Sequence, residues 1–396
     1  MTQNPHSPTR RAQQAGRGDT EGLPAHAIQR VVIKIGTSVL TDDRGRLLPE
    51  RLEPLVEQAA RCVAERRQPL IVSSGAIACG MARLGLARRP EALAQLQACA
   101  AIGQGELMHL YTRLFAERGL LTAQVLLTQE DLSNRSRFRN AKQTLLTLLH
   151  RRAVPIINEN DTVSVEEITF GDNDRLAALV AAAVDAHLLL ILSDVDGFLQ
   201  NGKVLERVEA LSHVEAAIRE VKRQVTKGGM ASKLEAARIV GHSGIPMVLA
   251  NGLRAGVVTD LLEGRPVGTL FVPPRSRLNS RKWWIAFALR RPNGAVVIDA
   301  GAAEALTARG KSLLATGVLE VRGRFEAGAF VAVTDRTGTE LARGVCRFSS
   351  SDLNRIRGMS SAEAARALGQ ARPGEVIHRD HLVLTRELGS EPLRSS

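Results

Sequence analysis

The 396-residue chain predicts an α/β protein: a three-layer α/β/α sandwich with a mainly parallel sheet, followed by a small β-rich C-terminal domain. Three observations carry this expectation. Between residues 31 and 272, short runs that are apolar throughout alternate with longer helical segments, the pattern of parallel strands covered on both faces. A Pro/Arg-rich stretch, VPPRSRLNSRKWW (272–284), then breaks the alternation, and from Asn293 the text turns to short strands separated by glycine turns. The length points the same way, because single cores rarely grow past about 250–300 residues.

In chain order, VVIKI (31–35), PLIVSS (69–74), LTAQVLL (121–127), AVPIIN (153–158), HLLLILS (187–193) and IPMVLA (245–250) read as buried strands. Segments such as PERLEPLVEQAARCVAERR between them read as helices. The expected boundaries are a disordered tail over 1–28, the main α/β domain over 29–272, a linker over 273–291, the β-rich module over 292–370, and a C-terminal tail over 371–396 holding one further short strand. In sheets of this kind ligands collect at the carboxyl ends of the strands, so chemistry is sought just after each apolar run.

Composition excludes several classes. No apolar run approaches the roughly 20 residues needed to cross a bilayer, and residues 1–28 lack the apolar segment of a secretory signal. Cys62, Cys79, Cys99 and Cys346 show no CxxC spacing and sit among apolar residues, as reduced thiols of a cytoplasmic protein do. The net charge is +12, and residues 275–396 hold 20 Lys and Arg against 12 Asp and Glu. A basic C-terminal module raises the question of nucleic acid.

The strand ends carry the candidate site. Lys34 lies inside an apolar strand that ends in Gly36, Thr37 and Ser38, whose amides and hydroxyls can face an anion. Ser73, Ser74, Gly75 and Ala76 put small residues at the next strand-to-helix turn, without the GxSxG spacing of a hydrolase nucleophile. In TKGGMASK, Gly228 and Gly229 open a helix that presents Lys233, an arrangement able to wrap a phosphate chain although it is not the GxxxxGK[ST] loop. INENDTVSVEEITFGDND (157–174) packs six carboxylates and three asparagines into a basic chain. Three readings of it stay open: a solvated loop, a divalent-metal cage, or a reader of a cationic or zwitterionic small molecule in which Asp161 meets an ammonium and Asn173 serves either end. One of Asp172 to Asp174 also caps the helix that follows.

Taken in order, IKIGTS, SSGAI, INENDTV, GDNDRL, Ser193–Asp194 and KGGMASK resemble the amino-acid kinase family over about residues 29–272, and most closely its members that phosphorylate the γ-carboxylate of glutamate. GAVVIDAGAAEAL with the later GVCRFSS is similar to a PUA domain. The resemblance implies ATP as co-substrate with Mg²⁺, L-glutamate bound by Ser74, Asp161 and Asn173, and catalysis by Lys34, Lys233 and Asp174, the last holding the lysines in place. It implies nucleotide contacts from Lys34, Ser193, Asp194 and the run Lys227, Gly228, Gly229, Met230, Ala231, Ser232 and Lys233. No metal cage in the protein is implied. It further implies an acyl-phosphate product passed to a glutamyl-phosphate reductase, inhibition by proline, a cytoplasmic homodimer or tetramer, and an open question of RNA binding by the PUA-like module. Lys227 departs from the family pattern, which has threonine there.

Overall fold

The computed structural model describes residues 23, 25–163, 172–214, 229–274, 277–289, 291–369 and 374–388. Lys227, Gly228, Glu166, Glu167 and most of the expected N-terminal tail lie outside the described residues. Among the described residues of the larger domain the strands are β1 (Arg30–Ile35), β2 (Gln68–Ser73), β3 (Thr122–Leu127), β4 (Val154–Glu159), β5 (Leu188–Ser193), β6 (Leu199–Gln200), β7 (Lys203–Val204), β8 (Arg207–Val208), β9 (Met247–Asn251) and β10 (Thr269–Phe271). Eight of them form one sheet in the order β3-β4-β2-β1-β5-β9-β10-β8, with β6 and β7 as a separate hairpin. The six apolar runs read from the sequence pair in parallel, and β10 turns antiparallel against β9.

The order explains where a site belongs. From β1 the chain passes to β2 and the edge strand β3 on one side, returns as β4 between them, then crosses to β5 and β9 on the other. The crevice beyond the carboxyl ends of β1, β2 and β5 therefore lies at the switch point.

Alternation along β1 sorts its side chains between two cores. Val31, Ile33 and Ile35 join one apolar cluster with Tyr111 and Phe115, while Val32 joins the other with Leu176 and Leu179 of the helix Asp172–Ala183. Period two places Lys34 on the same face as Val32, the face that this helix covers. A lysine at the end of a buried strand thus meets the first turn of that helix.

Close helix packing brings a second wall to the crevice. The helices Ala76–Arg83 and Leu93–Ala116 cross at glycines: a Cβ on Gly103 would come within 1.8 Å of Ala76 O, and one on Gly80 within 1.8 Å of Cys99 O. Gly75, which leads into the shorter helix, has φ of 105°, a conformation that glycine adopts without penalty.

The smaller domain is a five-stranded sheet of β11 (Gly294–Ile298), β12 (Val318–Arg322), β13 (Phe330–Thr334), β14 (Glu340–Val345) and β15 (Leu382–Leu384), in the order β12-β11-β13-β14-β15. Three boundaries differ from the sequence reading. The short strand placed in the C-terminal tail is β15, which pairs with β14, so the module runs past residue 370 to Leu388. At the other end Ile28, assigned to the tail, is 3% exposed and belongs to the core beside β1. The expected linker over 273–291 is not an open connector: Ser280–Trp283 is a helical turn that continues as a π-helix over Trp284–Ala288. Trp283, Ile285 and Phe287 are buried in the same apolar cluster as Leu234 and Ile239 of the larger domain and Phe330 and Val383 of the smaller. The apolar WWIAFAL run outweighs its Pro/Arg-rich flank, and burial turns the connector into a wedge between the domains.

Candidate active site

Two lysines and one aspartate sit at the centre of the crevice. Lys34 Nζ at the end of β1 lies 2.7 Å from Asp174 Oδ1. Asp174 Oδ2 accepts a hydrogen bond from Ser232 Oγ at 2.7 Å and lies 3.5 Å from Lys233 Nζ, which also donates to Gly229 O at 3.1 Å. Lys34, Asp174 and Lys233 are all buried. Burial by itself would raise the Asp174 carboxyl, but the charges of Lys34 and Lys233 and the bonds from Lys34 and Ser232 outweigh it and hold the group below the usual carboxylate range. One carboxylate thus fixes two cations, and the three groups together carry a net positive charge. The first turn of Asp172–Ala183 adds its positive dipole end, and the helix Gly229–Gly241 points its own toward the same space.

A network of amides flanks this group. Asn173 Nδ2 faces Ser73 O at 3.2 Å, Ser74 Oγ at 3.0 Å and Asn158 Oδ1 at 3.0 Å. Asn158 Oδ1 also accepts from Glu159 N at 2.9 Å, which leaves its Nδ2 to donate to Gln104 Oε1 at 2.8 Å. A carbonyl only accepts and a backbone N–H only donates, so both contacts fix the orientation of these side-chain amides. Asn173 is left with its Oδ1 as an acceptor, buried and without a partner among the described residues. Buried polar atoms are normally satisfied, and an oriented orphan acceptor beside a crevice is suited to an N–H donor from a ligand.

The crevice encloses about 880 Å³. Lys34, Ser74, Asp161, Asn173, Asp174, Ser193, Asp194, Gly229, Ser232 and Lys233 all line it. Met230 and Ala231, assigned to the nucleotide, do not: Met230 packs on the core and Ala231 faces outward. Asp161 is buried, and Ser193 Oγ donates to Asp194 Oδ1 at 3.0 Å at the end of β5. Sequence reasoning passed over Asn158, Gln104 and the loop from Asp42 to Arg46 that walls the crevice. In that loop Asp42 Oδ1 accepts from the amides of Arg44 and Arg46, and Gly45, with φ of 76°, seats against Ala78 O. The turn text DDRGR signals the loop; nothing in it signals that the loop folds over the site.

Residues 29–251 match the family model of the amino acid kinase family, and residues 294–368 match the PUA domain. The chain belongs to the amino acid kinase family. As a member it is a phosphotransferase that uses ATP as co-substrate, and its smaller domain is a PUA domain. Among similar members is a protein named glutamate 5-kinase from Moorella thermoacetica, 44% identical over 364 residues that cover 90% of this chain and 96% of that one. Another of the same name from Thermus thermophilus is 47% identical over 371 residues, covering 92% and 99%. A solved structure, carbamate kinase from Giardia lamblia bound to AMP-PNP, is 16% identical with a TM-score of 0.46 and covers 62% of this chain and 99% of that one.

Proposed function

We propose that the chain transfers the γ-phosphoryl group of ATP to the γ-carboxylate of L-glutamate, giving L-glutamyl 5-phosphate for proline formation. The observation that carries the reading is the buried Lys34–Asp174–Lys233 group set beside the oriented Asn173 acceptor. The name borne by the similar proteins from Moorella and Thermus supports the same substrate.

The mechanism follows from the charges. A carboxylate is ionised near pH 7 and attacks phosphorus without a general base. The protein has to hold two anions in line and neutralise charge as it spreads over the transferring oxygens. Lys34 and Lys233 supply that charge at fixed positions, because Asp174 holds both. Asn173 Oδ1 and the Asp161 carboxylate take the substrate ammonium, and the Ser74 hydroxyl and the turn at Gly75 meet its carboxylate end. Lys227 and Gly228 are assigned to the nucleotide in this reading by motif, since they lie outside the described residues.

Mg²⁺ fits this site as a companion of ATP. Among the described residues no group of three His, Cys, Asp or Glu gathers to hold a metal, and Asp174 is engaged by two lysines, so the donors suit an anion that brings the ion on its phosphate oxygens. Bound there, it would offset charge on the phosphates. The product is an acyl phosphate that hydrolyses readily, so a glutamyl-phosphate reductase in the same cytoplasm is the proposed consumer. Proline is proposed to compete at the Asp161–Asn173 end, in a homo-oligomer.

The test is trapping. With ATP, Mg²⁺ and hydroxylamine, glutamate yields its γ-hydroxamate; turnover with aspartate or N-acetylglutamate but none with glutamate refutes the assignment.

A further inference from the structure

The residue after Asp174 does not face the crevice, yet it ties three elements together. Arg175 is buried and is not among the residues that line the crevice. Its Nη1 donates to the Glu235 carboxylate, two residues beyond Lys233 on the helix Gly229–Gly241. Its Nη2 donates to Phe287 O at the end of the interdomain wedge. The last carbonyls of a helix lack intrahelical partners and favour a cation, so this end of the wedge is a natural anchor for a guanidinium. The next carbonyl, Ala288 O, is taken by Ser133 Oγ at 2.9 Å and Gln129 Nε2 at 3.2 Å. Trp283 Nε1 donates to Ile239 O at 2.9 Å, so the wedge also grips the Lys233 helix along its length. On its far side the wedge shares its apolar cluster with Phe330, Val383 and Leu388 of the PUA domain.

Asn173, Asp174 and Arg175 are consecutive residues of one helical turn. Asn173 lines the crevice with its amide oriented by Asn158, Asp174 holds the two lysines, and Arg175 is fastened to the wedge. A rigid turn cannot move one of these without the others, and a misplacement near 1 Å at a reacting centre costs on the order of 10²-fold in rate. We propose that Arg175 is a positioning residue that clamps the Asn173–Asp174 turn to the wedge, so that displacement of the wedge, and of the PUA domain seated on it, alters phosphoryl transfer. The proposal rests on the kinase reading of the crevice but adds a control point outside it.

The experiment is a double-mutant cycle in the full chain with Arg175→Met, Phe287→Leu and their combination, and Arg175→Lys as the conservative variant. Arg175→Met keeps the aliphatic stem and removes both bonds; it is expected to lower kcat by about 10–100-fold. Phe287→Leu alone shifts the wedge and lowers kcat by a smaller factor. In the combination the wedge change adds nothing further, because the tie that transmits it is gone. Arg175→Lys reaches one of the two acceptors and recovers part of the loss. Affinity for AMP-PNP with Mg²⁺, read by calorimetry in the same proteins, needs no glutamate and is expected to fall in Arg175→Met with the same non-additivity. Effects that multiply in the double variant overturn the proposal, as does parental kcat and nucleotide affinity in Arg175→Met. If Arg175→Met does not fold, Arg175→Leu, which also lacks both bonds, takes its place in the cycle, and effects that multiply there overturn the proposal. A parent chain that binds AMP-PNP yet forms no hydroxamate from glutamate counts against the substrate assignment alone.

Discussion

Replacing Asp174 by Asn keeps the shape of the site and removes its organising charge. In the structure Asp174 lies 2.7 Å from one buried ammonium and 3.5 Å from another. At an effective dielectric constant of about 20 these separations correspond to roughly 6 and 5 kcal/mol of gross attraction, most of it offset by the desolvation of three ions. The net cost of deleting one member of a buried pair is about 3–5 kcal/mol, because two cations stay buried without their counterion. At about 2–4 °C per kcal/mol this lowers the melting temperature by roughly 6–20 °C. Turnover falls further than stability implies: losing one fixed donor costs about 10²–10³-fold, and here two lysines lose their anchor, so kcat drops by roughly 10³-fold or more. The pH dependence follows from the depressed carboxyl. Its contribution is fully present above the ordinary value near 4 and is lost as pH falls through the folded value, so the gap between parent and Asp174→Asn narrows in acid. Melting curves from about pH 7 to pH 3, with kcat measured at neutral pH, check this. A variant that keeps its melting temperature and a kcat within tenfold of the parent would refute the reasoning.

Three further outcomes follow from single positions. Gly103→Ala forces a Cβ onto Ala76 O, so it lowers stability by about 1–3 kcal/mol and weakens substrate binding at the Gly75 turn, whereas Gly105→Ala meets nothing and is neutral or stabilising; equal melting temperatures would contradict the packing argument. Asn173→Ala removes an oriented acceptor and should raise KM for the amino acid by about 5–150-fold, from roughly 1–3 kcal/mol, with a smaller effect on KM for ATP; the reverse pattern would move Asn173 to the nucleotide side. Burial pushes the thiols of Cys62 and Cys346 up to about 11 and that of Cys79 up to about 12. A disulfide reagent at about pH 8 should therefore label none of these three until the chain unfolds, and rapid labelling of the folded protein would show an opening that this packing does not allow.

The sheet was legible because its strands are apolar on both faces, and a lysine inside such a strand advertises itself. Lys34 also illustrates the limit: its partner lies 140 residues away, and spacing supplies residue types without pairing them. Asn158 and Gln104 were missed for the same reason, since their bond joins β4 to a helix 54 positions earlier. The linker was legible as a connection from its Arg and Pro, but its packing was not, because that rests on the apolar residues from Trp283 to Ala288. Met230 and Ala231 were assigned to the nucleotide by motif, and of their helix it is Gly229, Ser232 and Lys233 that line the crevice.

In the proposed reaction a carboxylate oxygen of glutamate attacks the γ-phosphorus of ATP. Glutamate labelled with ¹⁸O in its γ-carboxylate, incubated with ATP, Mg²⁺ and hydroxylamine, tests it directly. Hydroxylamine cleaves the acyl phosphate at carbon, so the bridging oxygen leaves with phosphorus, and the inorganic phosphate should carry one ¹⁸O, visible as a shifted ³¹P resonance. Unlabelled phosphate, or phosphate release without hydroxamate, would contradict the account.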